Sequence, residues 1–249
     1  MTRREVVGRY KGSILGLTWS FFNPLLMLAV YTFVFGVVFK ARWGGTGDES
    51  KASFALVLFT GMVVHGLLAE CLVRAPEVVV AQVNYVKKVV FPLEILPFVS
   101  ALSAIFHTAV SVLALFVAMV VINGAIPFTA PLLFVVLIPL AVGALGVMWI
   151  LASLGVFVRD ITQTMGLLMT VLLFVSPVFF PLSALPAEFR PLVALNPLTF
   201  FIEQARDVVL WGVWPDWHGF TVRAIGACLL SCFGYWWFQR TRKGFGDVL

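Results

Sequence analysis

Charge is what this sequence has least of: Asp, Glu, Lys and Arg make up 12% of its 249 residues, while 61% are hydrophobic. A soluble domain carries about 25% and about 45–50% respectively. A soluble core of this length would still need a polar shell, yet here the few charges stand in short clusters between long neutral stretches. Lipid as solvent explains that pattern. No Gly-Lys dipeptide occurs, so no phosphate-binding loop of the GxxxxGK[ST] type is present and this chain cannot hold ATP that way. HExxH, GxSxG and CxxC are likewise missing, and no cofactor is expected on this chain. The net charge of +5 comes without a basic run interleaved with aromatics, which argues against a nucleic-acid partner. Cys71, Cys228 and Cys232 have neither disulfide nor metal-ligand spacing. They read as small buried hydrophobes. His65, His107 and His218 fall on separate elements and read as satisfied or interfacial side chains.

What is present is a series of apolar runs. About 20 apolar residues cross the roughly 30 Å hydrocarbon core, and six such spans are expected at 19–39, 53–73, 97–122, 131–157, 161–180 and 219–238. The break between the third and fourth is Asn123-Gly124-Ala125-Ile126-Pro127, a turn signal. Between the fifth and sixth, residues 182–211 mix Pro186, Pro191 and Pro197 with apolar stretches too short to cross. Re-entrant or interfacial helices fit them, since non-helical backbone at depth must be shielded by protein. Eleven of the 17 Lys and Arg residues fall at the N-terminus, in 74–94, at Arg159 and at the C-terminus, which places both termini in the cytoplasm. Seven of the eight tryptophans, Trp149 excepted, lie near predicted helix ends, where an aromatic belt is expected.

Four segments are candidates for function, each with a plainer reading beside it. Residues 2–12 interleave Arg3, Arg4, Arg9 and Lys11 with Val6, Val7 and Tyr10, either a basic amphipathic helix on the inner leaflet or ordinary flanking charge. The loop from Asn84 to Glu94 joins Tyr85, Lys87 and Lys88 to apolar residues, either a docking element for a soluble partner or a topology signal. Pro177, Pro181, Asn196, Pro197, Glu203, Arg206 and Asp207 punctuate the segment after the fifth span. Ionisable groups there mark a pathway or a local ion pair of Arg206 with Glu203 or Asp207. The first and fifth spans are rich in aromatics, which stack on sugar rings or pack against lipid and neighbouring helices. Glu70 either lines a cavity or, the plainer reading, snorkels or pairs with Arg74 one turn on.

Arg9-Tyr10-Lys11-Gly12-Ser13-Ile14-Leu15-Gly16, Trp19 and Asn23-Pro24 resemble the opening of polysaccharide-exporting ABC permeases, the type-2 membrane subunits that move O-antigen, capsule or teichoic-acid chains. The stretch from Asn84 to Pro97, then Arg159-Asp160, Ser176-Pro177, Asn196-Pro197 and the end Gly244-Phe245-Gly246-Asp247-Val248-Leu249 continue the resemblance, with Gly246 where an alanine is expected.

The resemblance implies an all-α single membrane domain of six spans with an N-terminal interface helix at 2–12, a coupling helix at 77–91 and outer gate helices at 182–211. It implies one half of a homodimer in the inner membrane, served by a separate ATPase subunit that carries ATP and Mg. Glu77, Tyr85, Lys87 and Lys88 would contact that ATPase. Phe22, Tyr31, Phe35, Phe174 and Phe179 would line a channel for a lipid-linked polysaccharide, on a polyprenyl diphosphate. Arg9 and Lys11 would stand at its entrance, and Pro177, Pro181, Asn196, Pro197, Glu203 and Arg206 at the outer gate. A related permease for another lipid or a drug stays open as an alternative. A membrane-embedded sugar transferase fits less well, because Glu77, Glu94 and Asp160 are not clustered. An ion-coupled carrier would want midplane carboxylates, and the span centres have almost none.

Overall fold

The computed structural model describes residues 1–9, 16–38, 51–87 and 91–249, and among them every regular element is helical. Lys11, Lys88 and the side chains of Arg9, Phe35 and Lys87 lie outside the described residues. The helices are α1 (Thr2–Arg9), α2 (Trp19–Tyr31, continued by a wide π turn Thr32–Val38), α3 (Lys51–Arg74), α4 (Glu77–Val80), α5 (Val83–Lys87), α6 (Ile95–Asn123) and α7 (Leu133–Phe157). There follow α8 (Ile161–Val175), α9 (Arg190–Leu195), α10 (Pro197–Arg206), α11 (Trp217–Thr241) and α12 (Phe245–Val248).

Among the described residues three helices are both long and apolar enough to cross a membrane, Phe54–Arg74, Ile95–Asn123 and Ala130–Phe157, and Trp19–Val34 and Ile161–Val175 are shorter apolar helices. At 1.5 Å per residue, α6 is about 43 Å long and outreaches the hydrocarbon, whereas α8 is about 22 Å and falls short of it. The fifth run therefore ends before the expected residue 180. Pro177 holds Ser176 in extended backbone (φ −83°, ψ 152°) and the helix stops at Val175.

Other boundaries have equally local causes. Gly124 takes a left-handed conformation (φ 74°) and closes α6 through its N–H to the Val120 carbonyl. Asn196 caps α10, accepting from the Leu198 N–H, with Pro197 in the first position, where its missing N–H costs nothing. Asp216 caps α11 by accepting from His218 and Gly219.

α3 is the centre of the domain and packs against α2, α6, α7, α8 and α10. Its buried Leu56, Phe59, Val63, Val64 and Leu67 join Leu115, Met119, Leu133, Leu140 and Met148 of α6 and α7 in one core. α11 stands apart from it and packs along α7. Small residues permit that close crossing: a methyl group on Gly146 would meet the backbone of Leu230 and Ser231, and one on Gly234 the backbone of Gly146. The opposite face of α11 is exposed, and Cys228 and Cys232 lie on it. These two are thus not the buried hydrophobes expected, because a helix packed along one neighbour turns its remaining apolar side chains outward; Cys71 is buried.

The chain has two polar ends. The terminal end gathers α1, α4, α5, the last turns of α7 and α11, and α12. The distal end gathers the turn at 124–130 and residues 176–216.

Candidate transport machinery

The distal end is organised by a buried cation. Arg206 is 0% exposed, and burying a guanidinium is costly unless its donors are satisfied. Its Nη1 donates to the Pro177 carbonyl (2.7 Å) and to Glu203 Oε1 (3.1 Å), its Nη2 to the Val178 carbonyl (2.9 Å), and its Nε to the Val57 carbonyl (3.3 Å). One side chain thereby joins α10, the break after α8, and α3. Gly61 makes room for it, since a methyl group there would come within 3.0 Å of Nη2 and press on Val178. Burial pulls Arg206 down to about 10 while Glu203 holds it up, so it is a cation at neutral pH. Burial likewise pushes the Glu203 carboxyl up, opposed by Arg206. The expected ion pair is therefore Arg206 with Glu203, while Asp207 accepts from Gln204 Nε2 (3.1 Å).

Asn196 completes the fastening. Besides capping α10, its Nδ2 donates to Ser176 Oγ (2.8 Å), which donates to the Leu172 carbonyl of α8 (2.6 Å). Pro177 is buried beside this network, Pro181 is half-buried before a short 3-10 turn at Leu182–Ala184, and Pro197 is exposed. Three partners were not singled out from sequence: Gly61, Gln204, whose Oε1 accepts from the Asp216 N–H (2.6 Å), and Thr129, which donates to the Val208 carbonyl (2.6 Å). Only a glycine inside an apolar run hinted at any of them.

At the terminal end the expected coupling helix is two short helices, α4 and α5, rather than one over 77–91; a turn at Ala81-Gln82 separates them. Glu77 is exposed, and Tyr85 is half-buried and stacks on Phe91 at 4.8 Å between ring centroids. Both line a cavity of about 420 Å³ with Arg4, Glu5, Arg74 and Gln82. Arg74 reaches Glu5 of α1 (3.3 Å), so α1 is tied to the end of α3. Pro76 lies with its backbone against Gly155 of α7, where any Cβ would clash. Val79 packs with Leu96, Ala152, Val156, Phe238 and Phe245 in a second core. The Arg242 guanidinium meets Glu94 (3.0 Å), and Trp149 Nε1 donates to the Glu94 carbonyl (3.1 Å). Pro76, Val79 and Glu94 are thus clamped to α7, α11 and the C-terminal turn.

Of the aromatics expected on a channel, Phe22 of α2 and Phe174 of α8 are exposed, Tyr31 and Phe179 half-buried. Phe174 and Phe179 meet at 5.6 Å across the break at Pro177. α2 and α8 both flank α3 and turn other apolar side chains outward, among them Leu26, Val30, Phe33, Leu167 and Val171.

The described residues thus form a helical domain with membrane-length apolar helices, fastened by polar networks at both ends. Residues 1–210 match the family model described as ABC-2 type transporter, and the chain belongs to that family. Among its relatives are two proteins of Klebsiella pneumoniae named "O-antigen export system permease protein RfbA", 23% and 25% identical, each alignment covering 100% of this chain and 93% of the relative. A Myxococcus xanthus protein of the same name is 29% identical, over 100% of this chain and 94% of its own. This chain is a membrane protein of the ABC-2 transporter type.

Proposed function

We propose that this permease translocates a lipid-linked polysaccharide, O-antigen on a polyprenyl diphosphate, from the cytoplasm across the inner membrane as a homodimer powered by a separate ATPase subunit. The observation that carries this reading is the end-to-end match to O-antigen export permeases. In it, α2, α3, α6, α7, α8 with the extended residues after it, and α11 are the six spans, and both termini are cytoplasmic.

A glycan's many hydroxyls are costly to bury in hydrocarbon without partners. An aromatic, water-filled path avoids that cost, because stacking is tolerant of sequence and lets a chain slide. Phe22, Tyr31, Phe35, Phe174 and Phe179 line that path, with the exposed faces of α2 and α8 turned toward the second copy. Arg9 and Lys11 steer the diphosphate at the entrance. The ATPase engages Glu77, Tyr85, Lys87 and Lys88; its stroke is delivered through Pro76 and Gly155 to α7 and opens the segment pinned by Arg206.

Two measurements test this together. Deleting the gene should remove lipid-linked polysaccharide from the cell surface while undecorated glycan accumulates inside, and the tagged chain in mild detergent should co-purify with an ATPase. Normal surface glycan in the deletion strain overturns the substrate; purification without any ATPase overturns the power source.

A further inference from the structure

Three helical stripes converge on one cavity between α2, α3 and α6: Asn23, Met27 and Tyr31; Phe59, Val63, Gly66 and Glu70; His107 and Ser111. Each set recurs at three- or four-residue spacing and so occupies one helix face. The cavity holds about 240 Å³, room for a single sugar ring. Its floor is a pair of ionisable groups within membrane helices, Glu70 Oε1 to His107 Nδ1 at 2.8 Å, the two side chains 22% and 14% exposed. Such groups are expensive in hydrocarbon and mark functional sites more often than packing.

The chemistry of the lining is amphipathic. The Glu70 carboxylate accepts; Asn23 and Tyr31 both donate and accept, and Ser111, whose Oγ donates to the His107 carbonyl (3.0 Å), accepts; the exposed Met27 and the half-buried Tyr31 ring supply apolar faces. Gly66 has no side chain, and a Cβ built on it meets nothing within 4 Å, so the space beside Glu70 is open where α3 would otherwise fill it.

We propose that this cavity is a sugar-binding station, holding one ring of the glycan through hydroxyl contacts to Glu70, Asn23 and Ser111 with an apolar ring face against Met27 and Tyr31. The ligand class rests on the export reading; the site itself is testable without transport.

The test is saturation-transfer NMR on the full chain in nanodiscs, with free D-mannose, D-galactose and N-acetylglucosamine as probes and glycerol as control. At least one sugar should receive saturation at its ring protons, and Gly66→Leu should reduce the signal several-fold. That variant fills the space yet leaves the Glu70–His107 pair in place, so a merely structural role for the pair would not move the readout. Glu70→Gln, which keeps the shape, should weaken binding as well, and thermal melting of both variants checks that they are folded. No saturation of any sugar, or undiminished signal in folded Gly66→Leu, overturns the site and leaves export standing. Sugar binding blocked by Gly66→Leu, in a chain whose deletion leaves surface glycan unchanged, supports the site and overturns the export reading instead.

Discussion

The Arg206 guanidinium donates to the Pro177 carbonyl across 2.7 Å, so the residue that ends α8 is held by the residue that ends α10. Proline makes that bond available. It stops α8, extends Ser176, and frees carbonyls that a continuing helix would have used. Arg206→Met should therefore strand the Pro177 and Val178 carbonyls, at about 1–3 kcal/mol for each buried unsatisfied group, whereas the Val57 carbonyl keeps its partner within α3. Detergent-solubilised protein should melt well below the parent. Glu203→Gln should do less, because the Gln carbonyl can still accept from Nη1 and Arg206 keeps its three backbone carbonyl partners. Equal melting of Arg206→Met and parent would show that the carbonyls find water instead.

Glycines of similar appearance should behave in opposite ways. A Cβ on Gly155 runs into Pro76 and one on Gly234 into the backbone of Gly146, whereas Gly226 has nothing within 4 Å. Gly155→Ala and Gly234→Ala should lower the melting temperature or the yield of folded protein. Gly226→Ala, in the middle of α11, should match the parent or exceed it by about 0.5–1 kcal/mol, the helix cost of glycine. A loss of stability in Gly226→Ala would mean that a partner covers that face.

The apolar runs were legible because 12% charge cannot clothe a soluble core, and the breaks at Gly124 and Pro197 because turn and cap chemistry is local. The reach of α8 was not, since hydropathy continues to Phe180 while the backbone stops at Pro177. Nor were the long-range partners. Glu70 looked ready for Arg74 four residues on, and the fold adds His107 of α6 to Glu70 and Glu5 of α1 to Arg74. Neither meeting leaves a trace in local spacing. Cys228 and Cys232 were misjudged for the same reason, because which face of α11 meets α7 depends on Gly146 and Gly234.

Asn196 bridges two elements, so its two functions can be separated. Asn196→Asp keeps an oxygen for the Leu198 N–H but loses the donor to Ser176 Oγ, while Asn196→Ala loses both. Removal of an N-cap costs about 0.5–2 kcal/mol. Asn196→Ala should be the less stable, and Asn196→Asp should recover part of the difference in a thermal melt. Identical melting curves for the two variants would assign the whole effect to the bridge.

Phe245 is the last large side chain before the C-terminus and is fully buried, touching Phe157 and Phe238 at ring-centroid distances of 5.9 and 5.5 Å and sharing a core with Val79 of α4. Phe245→Ala opens a hole under the coupling region, a change of about 3–5 kcal/mol for a buried phenylalanine. In the proposed exporter the stroke passes from α4 into α7, so a loosened α4 should move without carrying α7 with it. Phe245→Ala should insert in the membrane and still recruit the ATPase, yet export less glycan for each ATP hydrolysed. The exposed Val248, three residues on, is the control: Val248→Ala should leave that ratio unchanged. Alanine at Lys87 and Lys88 should instead lower both hydrolysis and export by weakening contact with the ATPase. An unaltered ratio of glycan exported to ATP hydrolysed in Phe245→Ala would show that force reaches the spans by another route than α4.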